Sequence, residues 1–224
     1  EINSMFLDQK ESINIITLIV DISNNKSVSR LIENYKPQII LHAAAHKHVN
    51  LMEKTPIEAV RNNIGGILNL TKNSIKENVD KFVLVSSDKA VEPTNVMGAT
   101  KRISEMIISQ MKDTKNTKFT SVRFGNVLGS DGSVVPIFQK QIEQGGPVTV
   151  TDPKVNRFFM TAHEAAGLIL SAAEFGNNKE IFLLDMGKPI NISFLAKTMI
   201  ELSGFIPNKD IEIVYPYQVK KFLY

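Results

Sequence analysis

Between Ser86 and Arg102 the chain reads SSDKAVEPTNVMGATKR. The carboxylate of Asp88 can accept or return a proton, the neighbouring Lys89 can do the same work from an amine, and the hydroxyls of Ser86 and Ser87 can hydrogen-bond a reacting oxygen. Met97 and Lys101 are four residues apart, a spacing that puts both on one face of a helix. A thioether neither gives nor takes a proton, so proton transfer at this site falls to Asp88 and Lys89. Adjacent opposite charges are most often a solvated surface pair, and a helical methionine is most often core filling. Here the pair follows directly on an apolar run and precedes Met97-x-x-x-Lys101, which favours the chemical reading.

Apolar runs and helical periodicity alternate along the chain and imply the elements that position this stretch. Strands are expected at 13–20 (INIITLIV), 38–45 (QIILHAAA), 81–87 (KFVLVSS), 119–125 (FTSVRFG), 180–186 (EIFLLDM) and 211–215 (IEIVY). Helices are expected near Lys26–Tyr35, across Thr55–Asn78, from Met97 to Lys112, over 162–175 and over 193–205. Strands separated by helices pair in parallel through crossovers, so the fold class is α/β with a doubly wound parallel sheet. Ligands in such sheets bind beyond the carboxyl ends of the strands. Asp21, His46-Lys47-His48, Ser86 to Lys89 and Asn126 all stand at such ends and should converge on one cleft. The chain reads as one unit over 1–224, with substrate bound mainly by 126–160 and 187–224.

Composition narrows the function further. With 26 Lys+Arg against 23 Asp+Glu, the formal charge of +3 is scattered and does not form the basic stripe of a nucleic-acid binder. No cysteine is present, which removes disulfides and thiolate metal sites and fits a reducing compartment. The apolar runs are strand-sized and too short to span a membrane. His42, His46 and His48 lack an accompanying carboxylate cluster, so no metal is expected: His42 is read as strand packing and His48 as a ligand contact. The twelve glycines contain no G-x-G-x-x-G, the turn that receives a dinucleotide pyrophosphate. Glu1 is therefore expected to follow that turn, leaving the fold N-terminally incomplete. Unpaired strand edges would then favour aggregation or a homo-oligomer.

At HAAAHKHV, SSDKAVEPTNVMGATK and RFGNVLGSDGSVVPIF the sequence resembles the CapD-like polysaccharide biosynthesis proteins, extended short-chain dehydrogenase/reductase enzymes that act as nucleotide-sugar 4,6-dehydratases. The match runs in consistent order from about Asp21 to Tyr215. The resemblance implies an NAD(P)-binding Rossmann-like fold, NAD as cofactor, and a UDP-sugar, typically UDP-N-acetylglucosamine, as substrate. It also implies a cytoplasmic domain, which larger relatives anchor to the inner membrane. In much of the superfamily a tyrosine precedes the lysine of this helix by four; in the membrane-anchored branch methionine commonly takes its place, so Met97 marks a subfamily. After IEIVY the family typically continues with a Gly-Leu-Arg-Pro-Gly-Glu-Lys-like run, and PYQVKKFLY departs from it.

The roles implied by the resemblance fall on named positions. Hydride leaves sugar C4 for NAD+, water is eliminated across C5 and C6, and the hydride returns to C6. Asp88 takes the C4 hydroxyl proton and protonates the departing C6 hydroxyl, Lys89 removes the C5 proton, Ser87 hydrogen-bonds the C4 oxygen, Met97 packs against the cofactor, and Lys101 holds the nicotinamide ribose. Asp21 and Ile22 meet the adenine, Ala43, Ala44 and Ala45 line the cofactor channel, and Asn63 braces the loop of Ser86. Lys47, His48, Asn126 and Arg157 are the candidates for the sugar nucleotide, with Arg157 expected partly buried beside an anion. Two alternatives stay open: a nucleotide-sugar 4-epimerase, which shares the C4 oxidation, and a non-catalytic remnant or binding module.

Overall fold

A strand points successive side chains to opposite faces, so the run Phe82-Val83-Leu84 supplies two cores at once. The computed structural model describes residues 14–111, 116–130 and 132–216. In chain order the elements are α1 (Asn25–Tyr35), β1 (Ile39–His42), α2 (Val49–Lys54), α3 (Pro56–Ala59), a π turn (Val60–Gly65), α4 (Gly66–Lys76), β2 (Lys81–Val85), α5 (Val96–Gln110), β3 (Lys118–Arg123), β4 (Asn126–Val127), α6 (Val134–Glu143), β5 (Val148–Thr149), β6 (Asn156–Arg157), β7 (Phe159–Met160), α7 (Ala162–Phe175), β8 (Ile181–Leu183), β9 (Ile190–Asn191), α8 (Ile192–Leu202) and β10 (Ile213–Val214). The main sheet runs β1-β2-β3-β8, and every pairing in it is parallel.

On one face Phe82 and Leu84 of β2 and Phe119 of β3 pack under Val28 and Ile32 of α1, Ile67 and Leu70 of α4, and Ile108 of α5. On the other, Val83 and Val122 meet Ala172 and Ala173 of α7. The sheet is therefore covered on both sides, as a parallel sheet must be. Phe82 and Phe119 are fully buried, each contributing about 1.5–3 kcal/mol of apolar transfer. Local caps fix where the helices begin: the Asn24 side chain accepts from the amides of Lys26 and Ser27 at α1, and Thr161 and Glu164 form a reciprocal capping box at α7. A second core lies apart from the sheet, where Phe138 and Ile142 of α6 and Ala196 and Ile200 of α8 close over Val148, Ile211 and Ile213.

Two expected strands come out differently. Residues 14–20 form no strand; Ile16 and Leu18 are about half exposed and Ile19 is 103% exposed. A strand exists only beside a hydrogen-bonded neighbour, and this run has no ladder partner among the described residues; Ile13, its first residue, lies outside them. The IEIVY run yields only β10, which pairs in parallel with β5 in a separate two-stranded sheet serving the second core. The long helical pattern of Thr55–Asn78 holds but is interrupted by the π turn. Helices α2 and α6 had no counterpart in the periodicity reading. Residues 217–224, with most of the divergent C-terminal run, lie outside the described residues.

Candidate active site

β2 ends at Val85, and the turn that follows is stitched to the end of β3: the Ser86 amide donates to the Val122 carbonyl and the Asp88 amide to that of Phe124. Ser87 then caps a single 3-10 turn, Asp88–Ala90. Its hydroxyl donates to Asp88 Oδ1 at 2.9 Å, and Lys89 Nζ donates to the same oxygen at 2.9 Å and to Asn126 Oδ1 at 3.2 Å. Ser87, Asp88, Lys89 and Asn126 thus form one continuous hydrogen-bonded row. It is partly buried, with the Asp88 and Lys89 side chains 25% and 26% exposed.

Helix α5 lies against this row because of one glycine. A Cβ on Gly98 would come 2.5 Å from the Lys89 carbonyl oxygen, so only glycine permits this approach of helix to turn. The Asn95 side chain caps the helix through the Gly98 amide. Met97 and Lys101, one helical turn apart, are both buried and both line a cavity of about 730 Å³ at the strand ends. Lys101 Nζ donates to the Val85 carbonyl at 2.8 Å. Burial depresses its pKa to about 8, against an upward pull from Glu105. Behind the cavity wall Met97 packs with Met52 and Ala59.

The cavity gathers most of the residues singled out by sequence. Ala43, Ala45 and Lys47 line it beyond β1, Ser86, Ser87 and Lys89 beyond β2, and Asn126 beyond β3. His48 lines it as well, with its ring close enough to Gly132 that a Cβ there would meet the imidazole at 2.6 Å. His42 is buried against the Phe82 ring with centroids 6.0 Å apart. Burial, reinforced by Lys101, lowers its pKa to about 4, so it is neutral at pH 7. Among the described residues no group of three or more His, Cys, Asp or Glu could hold a metal, and no helix is long and apolar enough to cross a membrane.

Other expected residues stand elsewhere. Asn63 does not brace the loop of Ser86: its side chain accepts from the His46 amide and donates to the His46 carbonyl and to Thr100 Oγ1. Asn63 lies within the π turn, and its partner His46 stands in the loop after β1. Ser86 turns instead to Glu105 at 2.6 Å. Arg157 is exposed, not partly buried; it sits on short β6, donates to the Asn156 carbonyl, and lines a separate cavity of about 790 Å³ together with Asp88 and Asp185. Asp88 is thus the wall between two cavities, lining the second while Ser87 and Lys89 line the first. Ala44 is exposed and lines neither cavity. Asp21 is exposed, and hydrogen bonds from Ser23 hold its carboxyl below its ordinary value. Ile22 packs toward the first core beneath Gly66.

Sequence reasoning missed Glu105 and Arg123. Glu105 accepts from Arg123 Nε at 2.7 Å and Nη2 at 2.6 Å, from Ser86, and from Arg102 at 3.3 Å. Its position four residues after Lys101 was the available signal, since it continues the face that carries Met97.

The chain is 52% identical over 193 residues to the capsular polysaccharide biosynthesis protein CapD of Staphylococcus aureus, covering 86% of this chain and 32% of that protein. It spans about a third of the length of that relative. It is 37% identical over 189 residues to a UDP-glucose 4-epimerase of Rickettsia canadensis, covering 83% of this chain and 54% of that protein. The X-ray structure of Pen from Bacillus thuringiensis superposes with a TM-score of 0.85 at 40% identity, over 96% of this chain and 66% of that one. The fold is thus a Rossmann-like α/β parallel sheet. The model of the family described as "Polysaccharide biosynthesis protein" matches residues 1–216, and the chain belongs to that family.

Proposed function

We propose that this cleft carries out NAD-dependent chemistry on a UDP-sugar, and that the reaction is dehydration of UDP-N-acetylglucosamine to a 4-keto-6-deoxy sugar nucleotide. The observation that carries it is the hydrogen-bonded row Ser87, Asp88, Lys89, Asn126 along the cavity wall. The cavity suits the nicotinamide end of the cofactor: Ala43, Ala45, Val85 and Met97 leave an apolar slot, and Lys101 offers one buried cation beside it. Lys101 would hold the ribose hydroxyls there. When bound, the cofactor would supply the redox chemistry, with the oxidised form accepting the C4 hydride and the reduced form so made returning it to C6.

This chain's own residues manage the protons. Ser87, which reaches both the cavity and Asp88, hydrogen-bonds the C4 oxygen and relays its proton to the carboxylate. Proton arrival at Asp88 dissolves the ion pair, and Lys89 gives its extra proton to solvent; as the neutral amine it takes the C5 proton while Asp88 returns its own to the departing C6 hydroxyl. Lys89 then returns a proton to C5. Lys47, His48 and Asn126 border the cavity where the sugar nucleotide would lie, and Arg157 would meet it only from the second cavity. We place the reaction in the cytoplasm, the compartment that the family resemblance implies.

A second reading, 4-epimerisation, is favoured by the UDP-glucose 4-epimerase among the relatives. It uses the same C4 oxidation and leaves Lys89 without a task. Incubation with UDP-N-acetylglucosamine and NAD+, followed by mass spectrometry and NMR, separates the two. A 4-keto product lighter by one water supports dehydration. A product of unchanged mass, inverted at C4, supports epimerisation, and no conversion of either kind overturns the reading.

A further inference from the structure

The largest buried charge cluster among the described residues lies behind the candidate site and takes no part in the proton transfers above. Glu105 is 3% exposed and receives four hydrogen bonds: two from Arg123 at the end of β3, one from Ser86 at the end of β2, and one from Arg102 on its own helix. Burying a carboxylate is costly unless it is paired and bonded in this way. Burial works to raise the Glu105 carboxyl, but the Arg123 and Ser86 hydrogen bonds outweigh it and hold it below its ordinary value, so it stays charged.

Two consequences follow from where the cluster sits. Ser86 is the first residue of the turn carrying Ser87, Asp88 and Lys89, so its bond to Glu105 ties that turn to α5. Lys101 is one helical turn before Glu105 and is fastened to the Val85 carbonyl, one residue before Ser86. The same helix is therefore attached to the end of β2 at two successive points, and the Arg123 fork attaches the second point to β3.

We propose that Glu105, clamped by Arg123, is a positioning residue for the candidate site: it sets the Ser86–Lys89 turn against α5 and keeps a negative charge beneath the Lys101 ammonium. Apart from the Val85 carbonyl that accepts from it, the groups around Lys101 do not favour a cation. Neutral His42 faces it from β1, and Lys47, His48 and Lys89 line the same cavity. Arg102 and Arg123 lie beyond Glu105 and are both paired with it, Arg102 from a side chain that is also 45% exposed to solvent. Of these groups Glu105 raises the Lys101 pKa, which burial has brought to about 8.

The inference rests on the reading of the cleft proposed above, and its test needs no turnover. Lys101 is titrated by NMR in protein carrying ¹³C-labelled lysine, its resonance assigned by its loss in Lys101→Met. Glu105→Gln should lower the Lys101 titration point by about one pH unit, the effect of a partly neutralised charge one helical turn away. Arg123→Gln should raise it. Opposite signs identify the charge, because a purely structural disturbance has no reason to move Lys101 in both directions. If Glu105→Gln fails to fold, Arg123→Gln compared with Glu105→Gln/Arg123→Gln isolates the same charge without leaving a buried arginine unpaired, and the double variant should titrate lower. Shifts in the same direction, or a Lys101 that ignores the Glu105 charge, overturn the proposal. Opposite shifts in a protein that converts no sugar nucleotide would keep the positioning role and sink the reading of the function.

Discussion

Gly98→Ala tests whether the approach of α5 to the 86–90 turn matters. The added Cβ would sit 2.5 Å from the Lys89 carbonyl oxygen, about 0.9 Å inside the 3.4 Å at which ordinary van der Waals contact begins. The obstacle is backbone, which no rotamer change relieves, so helix and turn must separate. Overpacking of this kind costs about 1–3 kcal/mol, while alanine returns at most about 1 kcal/mol of helix propensity. The net expectation is a loss of about 1 kcal/mol in urea unfolding, with an unchanged far-ultraviolet spectrum. Activity should suffer more than stability. A displacement near 1 Å moves Lys89 away from Asn126 and the row away from any bound sugar, and misplacement of about that size costs about 100-fold in turnover. Unchanged stability together with wild-type turnover would refute the packing argument.

Asp88→Asn should abolish conversion of UDP-N-acetylglucosamine while changing stability by less than about 1 kcal/mol, because a partly exposed ion pair contributes little to folding; retained turnover in the product assay would remove Asp88 from the proposed mechanism. Met97→Ala should cost about 2–5 kcal/mol of stability, as buried methionines do, and weaken cofactor binding without abolishing chemistry; a loss of turnover in the folded variant as complete as that of Asp88→Asn would contradict its packing role. Lys101→Met should stabilise the fold at pH 7 by about 2 kcal/mol. The sign follows from linkage: with a folded pKa of about 8 below an unfolded value of 10.5, the unfolded chain binds more protons between the two, so wild-type stability rises across that window and the advantage of the variant shrinks. Urea melts between about pH 7 and pH 10 check this, and a gain that stays constant with pH would count against a buried ammonium.

What the sequence made legible were features decided within a few residues. The spacing of Met97 and Lys101 put them on one wall, and the helix expected over 162–175 matches α7 residue for residue. What it concealed was non-local. The INIITLIV run has the composition of a strand, but pairing needs a neighbour that periodicity cannot supply. Arg157 was expected partly buried because Phe158, Phe159 and Met160 follow it. Those side chains do turn inward to varying degrees, while the arginine stays outside on a two-residue strand. Asn63 was expected against the loop of Ser86 and bonds His46 and Thr100 instead, and the π turn that holds it leaves no mark in an apolar pattern. Glu105 hid for the opposite reason: a glutamate on an amphipathic helix reads as solvent-facing until the fork of Arg123 is seen above it.

The π turn has a consequence for the helix that contains it. Each extra residue in a helical path rotates everything after it by about 100°. Ala59, before the turn, faces Met52 and Met97 beside the cavity, whereas Ile67 and Leu70, after it, face the sheet core. The turn works as a phase shifter, letting one continuous rod present apolar stripes to two different clients. Apart from Asn63, whose side chain bonds His46 and Thr100, side-chain identity inside it is secondary to residue number. Exchanging the exposed Val60 for another residue alters a surface, but removing any one residue between 60 and 65 would restore a regular helix and turn one of the two stripes away from its partner.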